Sequence, residues 1–209
     1  MNLYGPMIEL REYSLRDIEA VSLWSNDPEV THWMMWDHTD PAKPANFVQA
    51  ALASARQQPR RAFELVMVER VSGVVVGSAR LSVCSWIQRR ADIGYVVRRD
   101  RWGRGYATET AKLLVDFGFK FGMLEVEAIC HPQNHPSIRI MEKAGMCYRG
   151  NTEHRRGSQH QKAYLYSVLA PVRAGEEHGA LWRRELGRAG DTIKPAMSTS
   201  TEGSRVLPS

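Results

Sequence analysis

Cysteine is scarce in this chain of 209 residues, where it occurs only as Cys84, Cys130 and Cys147. The three are far apart in sequence, and no Cys-x-x-Cys pair or other metal-ligand spacing is present. The sequence therefore predicts neither a disulfide framework nor a metal site. Each cysteine lies in an apolar, strand-like setting, so we expect three buried, reduced thiols.

Long apolar runs are also absent. No stretch approaches the roughly 20 apolar residues that a membrane-spanning helix needs. The first residues of the chain lack the apolar core of a signal peptide. We therefore expect a cytoplasmic protein with no membrane partner.

The charge balance is basic, with a formal net charge of +5. A basic stripe interleaved with exposed aromatics, which is typical of nucleic-acid-binding proteins, is missing, and so is helix-turn-helix spacing. Many arginines instead gather at residues 98–104 and near the C-terminus. A polyanionic small ligand explains the central cluster without any nucleic acid, although a nucleic-acid-binding protein with strongly salt-dependent affinity remains an alternative.

The hydrophobic pattern predicts one mixed α/β (α+β) domain with one principal core over residues 1–171. The predicted helices cover residues 15–25, 44–57, 105–121 and 135–143, and the predicted strands cover residues 7–12, 63–68, 74–83, 91–97, 124–130, 146–150 and 162–169. Ser14 is the expected N-cap of the first helix. Asp27-Pro28 is expected to end that helix, and residues 31–45 are expected to form an irregular loop.

The composition changes after residue 171. Residues 176–186 have the pattern of a short helix, whereas residues 187–209 are rich in Ser, Thr, Gly and Pro. A segment with so few large apolar side chains cannot bury enough surface to offset the entropy of ordering it. We therefore expect residues 172–209 to form a short helix and a disordered tail.

The most informative stretch is the basic turn from Arg98 to Glu109, which is punctuated by Gly103 and Gly105. It lies between an apolar strand, residues 93–97, and a predicted helix. Glycine lets the backbone approach a ligand closely, and the first N–H groups of a helix attract an anion. The turn therefore predicts a phosphate-bearing ligand, although a plain surface turn with solvated arginines has the same composition. It matches neither the G-x-G-x-x-G dinucleotide pattern nor the Walker pattern.

The motifs that follow this turn resemble the coenzyme A site of the GNAT superfamily of N-acetyltransferases, and most closely its RimJ/RimL type. The resemblance extends over residues 7–170. The matching segments are Ile8-Glu9-Leu10-Arg11, Trp24 with Asp27-Pro28-Glu29-Val30, Ile93-Gly94-Tyr95, Trp102-Gly103-Arg104-Gly105-Tyr106-Ala107-Thr108-Glu109, Asn134 with Ser137, and Glu142-Lys143-Ala144-Gly145-Met146.

The resemblance implies a single GNAT-type domain with a twisted, mostly antiparallel sheet of about seven strands, splayed at the middle and flanked by helices. It implies an acetyl-CoA-dependent N-acetyltransferase in which a primary amine attacks the donor directly in a ternary complex. The acceptor would be a protein N-terminus or a small-molecule amine, and the acyl group acetyl or a related one. A CoA-binding regulatory or inactive GNAT module is the alternative, and the protein would be a monomer or a homodimer.

The resemblance also implies which residues bind acetyl-CoA or CoA. The backbone N–H groups of residues 102–107 would hold the pyrophosphate, the strand around Val96 would pair with the pantetheine arm, and Arg101 is a further phosphate candidate. The predicted CoA-binding residues are Tyr95, Val96, Val97, Arg99, Trp102, Gly103, Arg104, Gly105, Tyr106, Ala107, Thr108, Asn134, Ser137, Arg139 and Lys143. For Asn134, capping of the following helix is an alternative or additional role.

The catalytic residues are less well defined by the motifs. Many GNAT enzymes carry a tyrosine where this chain has Met141, and in the RimJ/RimL pattern Ser137 assists the departing thiolate; a helix N-terminal role explains Ser137 equally well. Glu109 is a candidate base, although a carboxylate in the first turn of a helix is also favoured by the helix dipole. His154 is another candidate base.

Two further residues, Glu153 and His131, complete the set of candidate bases. An α-amino group, with a pKa near 8, needs a base less than a lysine with a pKa near 10.4. The predicted acceptor site contains Trp33, Trp36, Asp37 and His38 on one wall and the segment Trp86-Ile87-Gln88 on another. A hydrophobic lid or core edge is the alternative role of these residues.

Overall fold

The computed structural model describes residues 1–34, 40–156 and 159–171, with the backbone alone for residues 154–156 and 159–160. The predicted acceptor residues Trp36, Asp37 and His38 lie outside these ranges. So does the tail predicted for residues 172–209, and the domain boundary at residue 171 therefore stays a prediction.

The described residues form one eight-stranded sheet in the order β1-β2-β3-β4-β5-β6-β8-β7. The strands are β1 (Asn2–Tyr4), β2 (Ile8–Glu12), β3 (Ala62–Glu69), β4 (Val75–Ser85), β5 (Arg90–Val97), β6 (Glu125–Cys130), β7 (Cys147–Arg156) and β8 (Gln159–Leu169). Among these strands, β5 and β6 are parallel and the other neighbours are antiparallel. The mixed α/β, mostly antiparallel fold is confirmed, and the short strand β1 raises the strand number above the expected seven.

Five α-helices accompany the sheet in the described ranges. They are α1 (Ile18–Ser25), α2 (Pro28–Thr31), α3 (Lys43–Ala55), α4 (Tyr106–Phe121) and α5 (His135–Lys143). Asp27 does more than follow α1, because its side chain accepts a hydrogen bond from the N–H of Glu29 at 3.0 Å and caps α2. Proline is favoured at the first helical position, because no N–H is needed there. Asp27-Pro28 therefore follows the end of α1, as predicted, and also begins the short helix α2.

The apolar core lies on both faces of the sheet rather than in one body. One cluster, which includes Leu65 and Leu114, packs between the sheet and α4. The other, which includes Trp24 and Val48, packs under α1 and α3. The sheet therefore divides the single core that the sequence predicted, because strands β3 and β4 carry apolar side chains on both faces.

The cysteines are free, but their predicted burial is wrong for two of the three. Cys130 is buried, whereas Cys84 and Cys147 are exposed. Successive side chains of a strand point to opposite faces. Val83 and Met146 are buried. Cys84 and Cys147 directly follow them and therefore point away from the core.

Neither a membrane span nor a metal cluster is evident in the part of the chain that the structure describes. Its helices are too short or too polar to cross a bilayer. Among the same residues, no three His, Cys, Asp or Glu side chains are grouped so that they could hold a metal ion.

The sheet opens between β5 and β6. Their parallel ladder pairs Arg90, Ala91 and Asp92 with Glu125, Val126 and Glu127 and then ends. Beyond that point residues 93–97 pair only with β4, and residues 128–130 pair only with β8, among the described strand pairs. The two strands therefore diverge and leave a gap in the middle of the sheet.

One carboxyl group of the sheet is expected to make the stability of the fold depend on pH. Glu64 on β3 lies opposite Arg80 on β4. The pKa of Glu64 is raised to about 7, mainly by burial and also by Asp92, while Arg80 and Arg60 oppose the change. Tyr13, whose own pKa is raised by burial, is the other titratable group near this carboxyl.

We expect the free energy of unfolding to fall as pH rises from about 4.5 to about 7, because the folded state holds this proton more tightly than the unfolded state. Glu64→Gln is expected to remove this slope and to stabilise the protein by about 1–2 kcal/mol above neutral pH. Urea unfolding of both proteins on either side of that range measures the effect. Glu9→Gln, a strand carboxylate that accepts from Asn2, is the control, and an unchanged slope in Glu64→Gln would contradict the expectation.

Candidate active site

A cleft of about 840 Å³ occupies the gap between β5 and β6. Residues 93–97 form one wall, and residues 128–131 and α5 form the opposite wall. The part of the basic turn that contains Gly103 and Gly105, here called the glycine turn, closes one end. Residues 29–34 border the cleft from the side of α2. The cleft lies where the sequence placed the ligand site.

The glycine turn has the backbone conformation that its composition predicts. Gly103 and Gly105 have φ of +76° and +86°, a region that other residues rarely adopt. A Cβ at Gly103 would have no neighbour within 4 Å, so its exposed side opens into free space. Gly105 is the N-cap of α4, and the first N–H groups of that long helix are directed toward the turn.

Two side chains hold the turn against the sheet. The indole Nε1 of Trp102 donates a hydrogen bond to the carbonyl oxygen of Val97 at 2.7 Å. The buried Tyr106 donates its hydroxyl proton to the carboxylate of Glu69. Trp102 therefore fixes the turn to the end of β5, which is a use for its side chain that the motif alone does not show.

The arginines of the turn divide into two sets. Arg98 pairs with Asp100 at 3.1 Å, and Arg101 pairs with Glu69 at 3.3 Å, so both are engaged within the protein. Arg101 and Arg104 both border the cleft. Arg98 and Arg99 do not border it and line a separate depression beside Leu23.

Every other predicted CoA-binding residue lines the cleft. These residues are Tyr95, Val96, Val97, Trp102, Gly103, Arg104, Gly105, Tyr106, Ala107, Thr108, Asn134, Ser137, Arg139 and Lys143. The sequence did not single out Glu29, Met34 and Cys130, which line it as well. Glu29 stands in the matching segment Asp27-Pro28-Glu29-Val30, but the motif gives it no role, because the place of all three residues depends on how distant segments pack.

The backbone of β5 presents hydrogen-bonding groups to the cleft. The N–H of Arg98 donates to Val76 on the β4 side at 2.9 Å. Backbone groups alternate between the two sides of a strand, so those of Val97, Tyr95 and Ile93 point to the opposite side. The carbonyl oxygen of Val97, which accepts the hydrogen bond from Trp102, is one of the groups that point away from β4. The ladder to β6 ends at Asp92, so the groups of residues 93–97 on this side face the open gap.

Asn134 and Ser137 meet at the start of α5. Asn134 Oδ1 accepts a hydrogen bond from the N–H of Ser137 at 3.2 Å, so Asn134 caps this helix. The hydroxyl oxygen of Tyr95 lies 3.1 Å from Ser137 Oγ and 3.4 Å from the carbonyl oxygen of Ser137. Burial raises the pKa of Tyr95 to about 12, although the hydrogen bond to Ser137 opposes this. The pair joins the two walls of the cleft.

Glu109 is engaged elsewhere. Its Oε1 accepts hydrogen bonds from the N–H groups of Met7 and Ile8 at 2.9 and 3.0 Å. Its side chain is not among the residues that line the cleft. These contacts support the structural role of Glu109 rather than the role of a base.

The side of the cleft near α2 is aromatic. Trp33 stacks on His131 with ring centroids 4.9 Å apart. His131 Nδ1 accepts a hydrogen bond from the N–H of Gln133 at 3.2 Å. A neutral imidazole that accepts at Nδ1 carries its proton on Nε2, so His131 in this state is a donor at Nε2 and not a base there.

Trp86 and Glu153 do not line the cleft. Trp86 packs against Phe121 at the end of α4, with ring centroids 6.0 Å apart, and belongs to the edge of the core. Glu153 is exposed on β7, where its backbone pairs with Lys162. Of His154 the structure describes only the backbone, which pairs with Gln161.

The fold is that of an N-acetyltransferase. The family model of the acetyltransferase (GNAT) domain matches residues 8–147, and the chain therefore belongs to the GNAT family. An uncharacterized N-acetyltransferase of Bacillus licheniformis, p20, is 28% identical over 182 residues, which are 83% of this chain and 98% of that protein. The chain is thus an N-acetyltransferase of the GNAT class.

Solved structures of other acetyltransferases share the fold. RimL, a ribosomal L7/L12 alpha-N-protein acetyltransferase in complex with coenzyme A, has a TM-score of 0.68 at 15% identity, over 81% of this chain and 98% of that one. A spermidine N-acetyltransferase from Vibrio cholerae, in complex with CoA and spermine, has a TM-score of 0.66 at 12% identity, over 79% and 96%. The first acts on a protein and the second was solved with a polyamine.

Proposed function

We propose that this protein transfers an acetyl group from acetyl-CoA to a primary amine, by direct attack of the amine in a ternary complex. The observation that carries the proposal is the opening of the sheet directly above a glycine turn and a helix N-terminus. That arrangement offers a narrow cleft with strand backbone along its length and phosphate donors at one end.

The donor half of the cleft fits coenzyme A. The open space at Gly103 and the N–H groups of residues 102–107 suit the pyrophosphate, with Arg104 beside them. Arg139 and Lys143, exposed on α5, suit the remaining phosphate. Arg99 is not part of this proposal, since it lies beside Leu23.

The backbone of β5 supplies the rest of the donor site. The carbonyl oxygen of Val97 already accepts from Trp102. The groups of Tyr95 that face the gap and the N–H of Val97 would pair with the amide groups of the pantetheine arm, as a neighbouring strand would. The bound thioester supplies an acyl carbon open to attack. A strand N–H beside that carbonyl stabilises the negative charge that develops on its oxygen, and because it is already in place it needs no reorganisation.

The acceptor half is bordered by Trp33, His131 and Glu29. An aromatic face with a carboxylate suits a cationic amine before it loses its proton. Both a protein N-terminal α-amine and a small-molecule amine fit this description. His131 bound at Nδ1 offers no free base, so an α-amine with a pKa near 8 needs the least help from the described residues.

Calorimetry and a transfer screen together test the proposal. We expect CoA and acetyl-CoA to bind, and acetyl transfer to occur to at least one member of a panel of peptide N-termini, polyamines and aminoglycoside-like amines. Mass spectrometry of the acetylated amine is the suitable readout, because the exposed Cys84 and Cys147 would consume a thiol reagent. Absence of CoA binding at high protein concentration would refute the proposal. Binding without transfer to any amine would favour a regulatory module.

A further inference from the structure

We propose that Tyr95 is a positioning residue that holds the hydroxyl group of Ser137 as a hydrogen-bond donor toward the thiolate that leaves during acetyl transfer. This inference rests on the proposed function. It takes the role in leaving-group stabilisation that the family resemblance implies for Ser137, and adds an indirect part for Tyr95 in the same step.

The position that often carries a tyrosine acid in the family does not serve this cleft. Met141 is fully buried in the core on the α4 side of the sheet. Ser137 lies one turn earlier on α5 and lines the cleft, as does Tyr95 on the opposite wall. Their hydroxyl oxygens are 3.1 Å apart, so the groups form a hydrogen bond across the gap.

Two proton arrangements are available to this pair. In one, Ser137 Oγ donates to the hydroxyl oxygen of Tyr95, and Tyr95 donates to the carbonyl oxygen of Ser137 at 3.4 Å. In the other, Tyr95 donates to Ser137 Oγ, and the Ser137 proton points into the cleft. Each hydroxyl group needs only to rotate. A thiolate in the cleft selects the second arrangement, because a hydrogen bond to a charged acceptor is the stronger one.

The chemistry of the step is balanced without proton transfer from the pair. The amine nitrogen forms a bond to the acyl carbon, the C–S bond breaks, and its electron pair stays on sulfur as the thiolate. The nitrogen loses its extra proton to water. Tyr95, with a pKa of about 12, is a far weaker acid than a thiol with a pKa near 8.5, so it keeps its proton.

The first test measures the pKa of the CoA thiol in the bound state, and it does not require acetyl transfer. CoA bound to the wild-type protein is titrated by its ultraviolet thiolate absorbance, as a difference from the complex with desulfo-CoA, which cancels the cysteines of the protein. We expect Ser137→Ala and Tyr95→Phe each to raise the pKa of the bound thiol, by about one unit for Ser137→Ala. An unchanged thiol pKa in Tyr95→Phe, whether or not Ser137→Ala raises it, would overturn the inference.

The second test is a double-mutant cycle on acetyl transfer. Loss of a hydrogen bond to a charged group is expected to lower kcat about 10-fold in Ser137→Ala, and somewhat less in Tyr95→Phe, with the Kd of CoA changed by less than about 2-fold. Tyr95→Phe should add almost nothing to Ser137→Ala, because Tyr95 acts through Ser137. Additive losses would overturn the inference.

Control variants separate this role from a purely structural one. Tyr148→Phe removes a hydroxyl that bonds Asn151 Oδ1 at 2.8 Å outside the cleft, and should leave kcat and the thiol pKa unchanged. Ser137→Thr keeps the hydroxyl and should retain the sensitivity to Tyr95→Phe. Wild-type protein that binds CoA but transfers no acetyl group would refute the proposed function, and the thiol titration would still decide the inference. If Tyr95→Phe fails to fold, Tyr95→Leu, which also lacks the hydroxyl group, takes its place in both tests.

Discussion

Gly105→Asp is expected to weaken CoA binding by at least about 100-fold. A carboxylate about 5 Å from a phosphate charge costs about 3 kcal/mol at the effective dielectric of a protein surface. Aspartate tolerates a positive φ better than most residues, so its strain at +86° is modest and the protein should remain folded. Isothermal titration calorimetry with CoA measures the loss.

Gly73→Asp is the matched control for this variant. Gly73 also has a positive φ, +70°, and a Cβ there would have no neighbour within 4 Å. It lies in the turn between β3 and β4 and does not line the cleft. The same charge and the same kind of backbone strain are thus introduced elsewhere, and CoA binding should change little. Equal affinity in the two variants would show that the phosphates do not lie at the glycine turn.

Glu109→Ala is expected to destabilise the fold by about 2–4 kcal/mol and to leave the Kd of CoA unchanged. The substitution removes a charged acceptor from two backbone donors, the N–H groups of Met7 and Ile8. Hydrogen bonds to charged groups contribute about 1.5–3 kcal/mol each, and water replaces part of the loss at these partly exposed sites. Urea unfolding measures the change in the free energy of unfolding.

Asp116→Asn on the same helix is the control, because Asp116 is exposed and its substitution should shift stability by less than about 0.5 kcal/mol. Activity of the folded fraction separates the two roles considered for Glu109. A stable Glu109→Ala protein that has lost acetyl transfer would identify Glu109 as a base and would contradict the structural role.

Much of the fold follows from local sequence rules. Asn134 and Pro136 set the start of α5, and the predicted range 135–143 agrees with the structure. Gly105 and Gly122, both with positive φ, flank α4, and the predicted helix 105–121 differs by one residue. These boundaries could be predicted because capping depends on the backbone within one turn of the chain.

The contacts that define the site depend on distant segments and could not be predicted. The hydrogen bond between Tyr95 and Ser137 joins residues 42 apart in sequence. The sequence around Arg99 is rich in arginine, as phosphate-binding sites often are, but it does not show that Arg99 lies beside Leu23. Trp86 is aromatic and close to a strand end, and only the packing of α4 shows that it covers Phe121. A linear pattern identifies the type of residue, whereas the direction of its side chain depends on tertiary packing.

The gap between β5 and β6 has a consequence for solubility. A strand with unpaired backbone N–H and C=O groups at the edge of a sheet can pair with strands of other chains, which leads to aggregation. Here such an edge, residues 93–97, lies in the interior of the sheet, where β6 and α5 face it across the cleft. A second folded chain cannot bring a strand into this space, but a slender ligand can. The protein can therefore keep an open row of backbone donors and acceptors without exposing it to its neighbours.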